Sequence, residues 1–467
     1  METTNTFQIL KYTIGNPFTR KILSGFGFCE TCGKNRVEIA LELYVGDRKD
    51  ACIKCKLAKK IISGVLKTGS KTFGVSSEML KEQFSHPSWR KSLANVLTGI
   101  AHFGVHRPFI TGAPFLVVWD ITYACNLKCK HCYANAGKPL QDELTTKEAK
   151  QCIDKLSRAC VPILSFSGGE PLIRKDILEL TSYANHKGMY VSVATNGTLI
   201  TKKKASEMKE KGVSFVQISL DGASAKTHDS FRGIKGVYEK TISGIHNCVD
   251  EGFFVNIATT ATHYNYEEIP KIIDLCEDLG VNWFMIYNFI PTGRGEFISE
   301  NDLTPLEREE LLKMLWERLK NGGKVNVLTT APQFARVALQ AEIGLDKKIV
   351  PTHFANPELS GKLVNLAEFI GGCGCGRLYC AIRPNGDIEP CVFFPLKIGN
   401  IKDDGFEKLW RFNPILNDLR NKDILEGNCG RCDYRYFCGG CRARAYGCTG
   451  NFLASDPGCI KNMIEKT

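Results

Sequence analysis

The chain has 467 residues, of which 43% are hydrophobic and 24% are charged, a composition of globular proteins that excludes a disordered or collagen-like chain. Its net charge of +11 is concentrated at the front, where residues 1–115 carry 17 Lys and Arg against 8 Asp and Glu. The 21 cysteines are grouped, with four at 29–55, three at 125–132 and ten at 373–459. Because no secretory signal is found, we expect a cytoplasmic protein from an anaerobic host, whose cysteines bind metal rather than form disulfides.

Residues 1–70 contain two Cys-x2-Cys pairs whose inner cysteines are separated by 19 residues. The four thiols are those of Cys29, Cys32, Cys52 and Cys55. This spacing predicts a zinc-ribbon or rubredoxin-like module that holds one zinc or one iron ion. The alternating residues 36–45 between the pairs predict a strand. With all four positions filled by protein, the site is expected to be structural or electron-relaying.

Residues 71–112 are predicted to form a basic, amphipathic helical segment, and residues 56–67 show the same pattern of lysines opposite apolar residues. Two interpretations stay open for these helices. They either pack on the rest of the protein or lie on an anionic membrane surface. No apolar run reaches the roughly 20 residues that a spanning helix needs.

Six apolar runs alternate with helix-like intervals between residues 113 and 320. The runs are 115–122, 162–166, 189–194, 214–219, 253–258 and 281–286. Such an order predicts an α/β fold with a parallel sheet and outer helices. In folds of this kind the loops after the strands carry the chemistry.

Three cysteines directly follow the first run, in a Cys-x3-Cys-x2-Cys motif. They are Cys125, Cys129 and Cys132. Three thiols leave one position of an iron–sulfur cluster open, as a catalytic site requires. The motif resembles the signature of radical S-adenosylmethionine (SAM) enzymes, with His131 at the place of the usual aromatic residue. The resemblance implies a partial (β/α)6 barrel of the TIM type and a [4Fe–4S] cluster that binds SAM and cleaves it to a 5′-deoxyadenosyl radical.

The same resemblance implies SAM contacts in the loops after the later strands. Ser167-Gly-Gly-Glu170 resembles the family's glycine-rich turn, and Arg232 resembles an arginine that pairs with the SAM carboxylate. Ordinary turn formation explains the segments at 195–197 and 219–222 equally well. The predicted SAM-binding residues are His131, Ser167, Gly168, Gly169, Glu170, Thr195, Asn196, Ser219, Asp221, Arg232, Thr259 and Met285.

A helical connector is predicted for residues 321–372, followed by a cysteine-rich domain at 373–467. The domain resembles the SPASM extension, which implies two auxiliary [4Fe–4S] clusters. The first would use Cys375, Cys380, Cys391 and Cys441, with Cys373 as an alternative to Cys380. The second would use Cys429, Cys432, Cys438 and Cys459. Zinc in some of these sites stays open. Two residues separate Cys438 from Cys441 where the family pattern has three.

These features predict a radical SAM enzyme that removes hydrogen from an unactivated carbon, with a ferredoxin or flavodoxin as the electron donor. The basic front module favours a hydrophobic or lipid substrate, coupled through carbon–carbon bonds as in the archaeal lipid-chain-coupling branch, and a peripheral membrane location. A peptide or sulfatase maturase is the alternative, and a haem-pathway decarboxylase or an RNA-modifying enzyme ranks below it. The sequence argues against nucleic acid as a partner, since no basic surface with interleaved aromatic residues is evident.

Overall fold

A computed structural model describes residue 8 and residues 11–73, 76–341, 371–403 and 405–464. The α-helices are α1 (Pro17–Ser24), α2 (Arg36–Val45), α3 (Ile53–Phe73), α4 (Ser77–Ser85), α5 (Pro87–Phe103), α6 (Thr146–Arg158), α7 (Ile177–His186), α8 (Lys202–Glu210), α9 (Ala225–Arg232), α10 (Val237–Asp250), α11 (Ile269–Asp278), α12 (Pro305–Asn321), α13 (Gln333–Ala341), α14 (Phe406–Phe412), α15 (Pro414–Arg420), α16 (Gly427–Arg431), α17 (Arg442–Thr449) and α18 (Lys461–Ile464). The strands are β1 (Phe28–Cys29), β2 (Lys34–Asn35), β3 (Leu116–Thr122), β4 (Ile163–Gly168), β5 (Tyr190–Thr195), β6 (Val213–Ser219), β7 (Phe254–Ala261), β8 (Trp283–Asn288), β9 (Asn326–Thr329), β10 (Tyr379–Ile382), β11 (Asp387–Glu389) and β12 (Gly399–Asn400).

One large sheet organises the chain, with the strand order β12-β11-β10-β3-β4-β5-β6-β7-β8-β9. Strands β3 to β8 coincide with the six predicted runs and pair in parallel in chain order, with helices between them. The predicted α/β fold with a partial barrel is therefore confirmed. Parallel strands need such crossovers, and their carboxyl ends meet at one edge of the sheet.

Two further elements extend the six strands. Strand β9 pairs in parallel with β8, so the expected helical connector contains a strand that is too short for its periodicity to show. Residues 342–370 of that connector lie outside the described part of the chain. On the other side, β10 from the cysteine-rich tail pairs in parallel with β3, and β11 and β12 follow antiparallel. Both edges of the barrel sheet are thereby covered.

The prediction of a strand between the two N-terminal cysteine pairs is wrong, because residues 36–45 form helix α2. Asn35 caps the helix by accepting a hydrogen bond from the Val37 amide at 2.8 Å. The charged residues that suggested an exposed face, Glu38 and Glu42, are buried at 5% and 6% exposure. Each carboxylate faces basic side chains, so charge did not mark the solvent side.

The N-terminal module docks through a buried ion pair between α2 and α5. Lys91 Nζ lies 3.2 Å from Glu38 Oε2 and donates to the carbonyl of Ser157 at 3.1 Å. Asn95 Nδ2 donates to the carbonyls of Pro114 and Cys160, both at 3.3 Å. These acceptors come just before β3 and β4 begin. The module therefore packs against the amino-terminal ends of the strands, opposite the loop that carries Cys125.

We predict that Lys91→Ala lowers the free energy of unfolding in urea by about 3–5 kcal/mol, because it leaves the Glu38 carboxylate buried and unpaired. The matched control is Arg158→Ala, which breaks the exposed pair with Glu30 at the same interface and should cost about 1 kcal/mol or less. Equal losses in the two variants would contradict the role assigned to Lys91.

Candidate active site

The thiols of Cys125, Cys129 and Cys132 lie together in the loop that follows β3, and no other cysteine of the described residues joins them. Donors reach all three sulfurs, and the Leu127 amide donates to Cys125 Sγ at 3.5 Å. The Ala136 amide donates to Cys132 Sγ at 3.4 Å, and Arg232 Nη1 lies 3.6 Å from Cys129 Sγ. Hydrogen bonds of this kind stabilise thiolate ligands of iron–sulfur clusters, so the residues present fit the predicted cluster with an open position.

A buried carboxylate holds Arg232 beside this group. Asp221 is fully buried, forms an ion pair with Arg232 and accepts a hydrogen bond from the Thr260 amide at 2.8 Å. Burial opposes ionisation of Asp221, but the Arg232 guanidinium lowers the pKa of that carboxyl below its ordinary value. Burial lowers the pKa of His131 to about 4, so its ring is neutral at pH 7, stacked 4.2 Å from Phe231. Arg232 is thus fixed as a cation at the thiol loop.

The glycine-rich turn after β4 needs both of its glycines. Gly168 has a φ of 123°, and a Cβ there would lie 2.4 Å from the carbonyl oxygen of Thr122. A Cβ on Gly169 would lie 2.3 Å from the carbonyl oxygen of Ala124. The turn can therefore pack directly against the backbone that leads into the cysteine loop.

Glu170 stabilises the adjoining loops rather than facing the open space of the site. It is fully buried, and its carboxylate accepts hydrogen bonds from Thr195 Oγ1 and from the Asn196 amide, each at 2.8 Å. Burial raises the pKa of Glu170, against the effect of these donors. The residue thus ties the loop after β4 to the loop after β5.

A cavity with about 940 Å³ of empty space, part of it open to solvent, lies at the carboxyl edge of the sheet. The predicted residues that line it are Cys125, Cys129, His131, Cys132, Ser167, Gly168, Gly169, Thr195, Asn196, Ser219 and Arg232. The structure therefore brings most of the predicted SAM-binding residues to one space beside the three thiols.

Four predicted residues do not line the cavity: Glu170, Asp221, Thr259 and Met285. The Thr259 side chain does not face the cavity, because side chains alternate along β7. Its hydroxyl donates to the Leu220 carbonyl at 2.5 Å, while its neighbours Ala258 and Thr260 line the cavity. On β8 the lining residues are Tyr287 and Asn288, which follow Met285 by two and three positions.

Sequence reasoning missed several lining residues, namely Tyr133, Gln217, Tyr287, Asn288, Arg294 and Phe393. Two of them could have been found from their place in the sequence beside predicted cluster ligands, since Tyr133 follows Cys132 directly and Phe393 follows Cys391 by two residues. Their rings meet at 5.1 Å between centroids. The cysteine-rich tail therefore contributes to the wall of the cavity.

The four N-terminal thiols form a compact group in which all ligand atoms lie within 4.8 Å of one another. Cys52 Sγ lies 3.7 Å from Cys29 Sγ and 3.5 Å from Cys55 Sγ. A tetrahedral ion with metal–sulfur bonds of about 2.3 Å separates its sulfurs by about 3.8 Å. The group therefore fits a single zinc or iron ion, and among the described residues it alone meets this limit.

The first auxiliary group differs from the prediction. The thiols of Cys373, Cys375, Cys391 and Cys441 interact with one another and are wholly buried. Cys380 lies on β10 opposite Val117, and burial alone, without the other thiols, raises its pKa. The structure thus places Cys373 rather than Cys380 with this group, which favours the alternative ligand set.

The second auxiliary group brings together the predicted thiols, which line one small cavity: Cys429, Cys432, Cys438 and Cys459. The short spacing between Cys438 and Cys441 is accommodated by Gly439 and Gly440, whose φ angles are 66° and 65°. These left-handed conformations turn the two flanking thiols toward different groups. Although the chain has two residues here where the family pattern has three, Cys438 and Cys441 can still belong to different thiol groups, as predicted.

Buried cations surround the first auxiliary group. Lys422 is 2% exposed, and burial lowers its pKa to about 8 although the Cys373 thiol opposes this. Arg377 is fully buried, and burial lowers its pKa to about 10. Because buried cations are costly without nearby negative charge, the donor set suits an anionic group such as a cluster held by four thiolates.

We predict that Cys373→Ala lowers the iron content of anaerobically reconstituted protein by about four atoms, because one cluster loses a ligand. The matched variant Cys380→Ala should keep the full content, since this thiol lies in the apolar core. Iron analysis with electron paramagnetic resonance of the reduced proteins measures both. Full iron in Cys373→Ala together with a loss in Cys380→Ala would restore the original assignment.

Comparison with known families matches residues 119–276 to the radical SAM superfamily and residues 373–433 to the SPASM iron–sulfur cluster-binding domain. The chain is 37% identical over 358 residues to the AdoMet-dependent heme synthase of Methanosarcina barkeri, covering 76% of this chain and 99% of that protein. It is 32% identical over 359 residues to the mycofactocin maturase MftC of Mycobacterium tuberculosis, covering 76% and 84%.

Among solved structures, SuiB of Streptococcus suis bound to S-adenosylmethionine superposes with a TM-score of 0.64 over 93% of this chain and 97% of that one. The sequence identity is 18%, so this likeness concerns the fold.

Proposed function

Because the chain belongs to the radical SAM superfamily and carries a SPASM domain, we propose that it oxidises a propionate-bearing tetrapyrrole in the manner of a haem-pathway decarboxylase. That it is a radical SAM enzyme, with SAM and iron–sulfur clusters as cofactors, follows from the family itself. Only the substrate and the reaction type are proposed.

The observation that carries the proposal is that the three-thiol loop and the cysteine-rich tail both contribute to the wall of one cavity. The loop of Cys125, Cys129 and Cys132 forms one wall, and Phe393, two residues after Cys391, belongs to another. When bound, SAM supplies the 5′-deoxyadenosyl radical that removes hydrogen from substrate. A substrate radical formed here would lie beside an electron acceptor, as an oxidation requires.

Decarboxylation of a propionate needs both a radical that removes hydrogen and an acceptor for one electron. Removal of one hydrogen atom from the carbon next to the ring leaves a radical, and breaking the bond to the carboxylate then gives a vinyl group and carbon dioxide. One electron is left over, and a cluster held by Cys373, Cys375, Cys391 and Cys441 would supply its acceptor. The hydrogen atom ends on 5′-deoxyadenosine. A ferredoxin or flavodoxin is the expected donor of the electron that starts the reaction.

Sequence similarity supports this class over the lipid-coupling reaction expected above. The AdoMet-dependent heme synthase aligns over 99% of its own length at 37% identity. Coupling of lipid chains is supported by the basic front module alone. A peptide substrate is the second candidate, because the mycofactocin maturase is 32% identical over 84% of its length.

We predict that Cys125→Ala, Cys129→Ala and Cys132→Ala combined abolish formation of 5′-deoxyadenosine with dithionite, while the auxiliary iron, about eight atoms, remains. High-performance liquid chromatography and iron analysis measure the two quantities. Cys152→Ala, at a buried thiol in the core, is the matched control and should cleave SAM normally. Undiminished cleavage by the triple variant would refute the catalytic assignment.

The substrate is tested by incubating reconstituted enzyme, SAM and dithionite with an iron coproporphyrin, a short tyrosine-containing peptide or a polyisoprenoid lipid. We expect faster deoxyadenosine formation with the tetrapyrrole only, and a product lighter by carbon dioxide and two hydrogens per side chain, measured by mass spectrometry. A modified peptide or a coupled lipid in its place would overturn the proposed substrate but leave the radical chemistry intact.

A further inference from the structure

Helix α3 carries an apolar stripe on its outer side. Ile53, Leu57, Ile61 and Val65 are 85%, 57%, 38% and 59% exposed. Their spacing of four residues places them along one side of the helix. Single exposed apolar residues are common on proteins, but four in line along three turns form a continuous surface.

The opposite side of the same helix is already used for packing. Cys55, Ala58 and Ile62 are buried at 0%, 0% and 3% exposure, and Ala58 and Ile62 belong to the core of the N-terminal module. The stripe is therefore not the core-facing side of α3. It is a second apolar surface, which the described part of the chain leaves accessible.

The charges of α3 limit which kinds of partner can bind this surface. Helix α3 contains six lysines and no aspartate or glutamate over its 21 residues, and one of the six, Lys56, pairs with Asp50 at 2.7 Å. Lys60, next to the stripe, is exposed. A partner must therefore accept aliphatic side chains and supply negative charge beside them. Nucleic acid supplies the charge but has no use for a line of aliphatic residues.

We propose that the stripe of Ile53, Leu57, Ile61 and Val65 binds an anionic lipid membrane surface, with α3 lying in the interface. Aliphatic residues enter the boundary of the acyl chains, and lysines reach the headgroups along their flexible stems. None of the helices in the described residues combines the length and apolar content needed to cross a bilayer. The contact is thus peripheral.

The placement of the module makes this compatible with catalysis. The module docks at the amino-terminal ends of the strands, whereas the cavity opens at their carboxyl ends. A membrane held by α3 would leave the entrance of the cavity free. The inference does not depend on which substrate the cavity takes.

The test is cosedimentation of the full-length, reconstituted enzyme with vesicles of phosphatidylcholine alone or mixed with phosphatidylglycerol. We expect binding to the mixed vesicles only, weakened by salt. Ile61→Glu combined with Val65→Glu should lower the partition coefficient at least about tenfold, since two charges replace inserted side chains. Lys59→Gln combined with Lys60→Gln should lower it to a similar extent.

Two controls keep these results specific. Phe412→Glu changes an equally exposed apolar residue, 68% exposed, in the cysteine-rich tail and should leave vesicle binding unchanged. All variants should retain their metal content and basal SAM cleavage, which shows that they fold. Should the Glu pair disturb folding, Ile61→Ser with Val65→Ser provides a milder change.

Three outcomes would overturn the proposal. One is the absence of binding to mixed vesicles. Another is binding that the stripe variants leave unchanged. The third is a dimer, seen by light scattering, that the Glu pair dissociates without any vesicle binding, since the stripe would then be an interface between two copies of this chain.

Discussion

The parallel pairing of β10 with β3 is the constraint on which the site depends. It joins the cysteine-rich tail to the strand whose carboxyl end leads into the loop of Cys125. A buried ion pair supports it, since Arg383 Nη1, just after β10, lies 2.6 Å from Asp120 Oδ2 on β3. Because of this pairing the tail can place Phe393 in the cavity wall. The three-thiol loop and the cysteine-rich tail are thus held by one continuous sheet.

The parts that the sequence could predict are those in which local pattern and burial agree. Six strands of a parallel sheet are buried on both faces, so their apolar runs are legible, and each ends in a short polar motif. The three thiols after β3 are identified by their spacing together with the resemblance to the radical SAM signature. The glycine-rich turn is identified by the same resemblance, and the structure shows a backbone approach that permits only glycine there.

The errors share a different origin, because they concern where a side chain points. Glu38 and Glu42 look like an exposed face until Lys91 and its neighbours bury them. Cys380 fits the spacing of a ligand, but on β10 it pairs with Val117 and its thiol stays apart from the other four. Thr259 is one residue out of phase with the cavity. Spacing identifies candidate ligands, but tertiary packing decides which of them face the metal.

Gly439 and Gly440 determine how close the two auxiliary thiol groups lie to each other along the chain. They are the whole backbone link between a thiol of the innermost group and one of the outer group. The innermost group is wholly buried, whereas Cys432 and Cys459 of the outer group are partly accessible. Two glycines therefore keep a buried thiol group next to a partly accessible one. Under the proposed reaction, a partner that exchanges electrons would dock at the accessible group, away from the cavity.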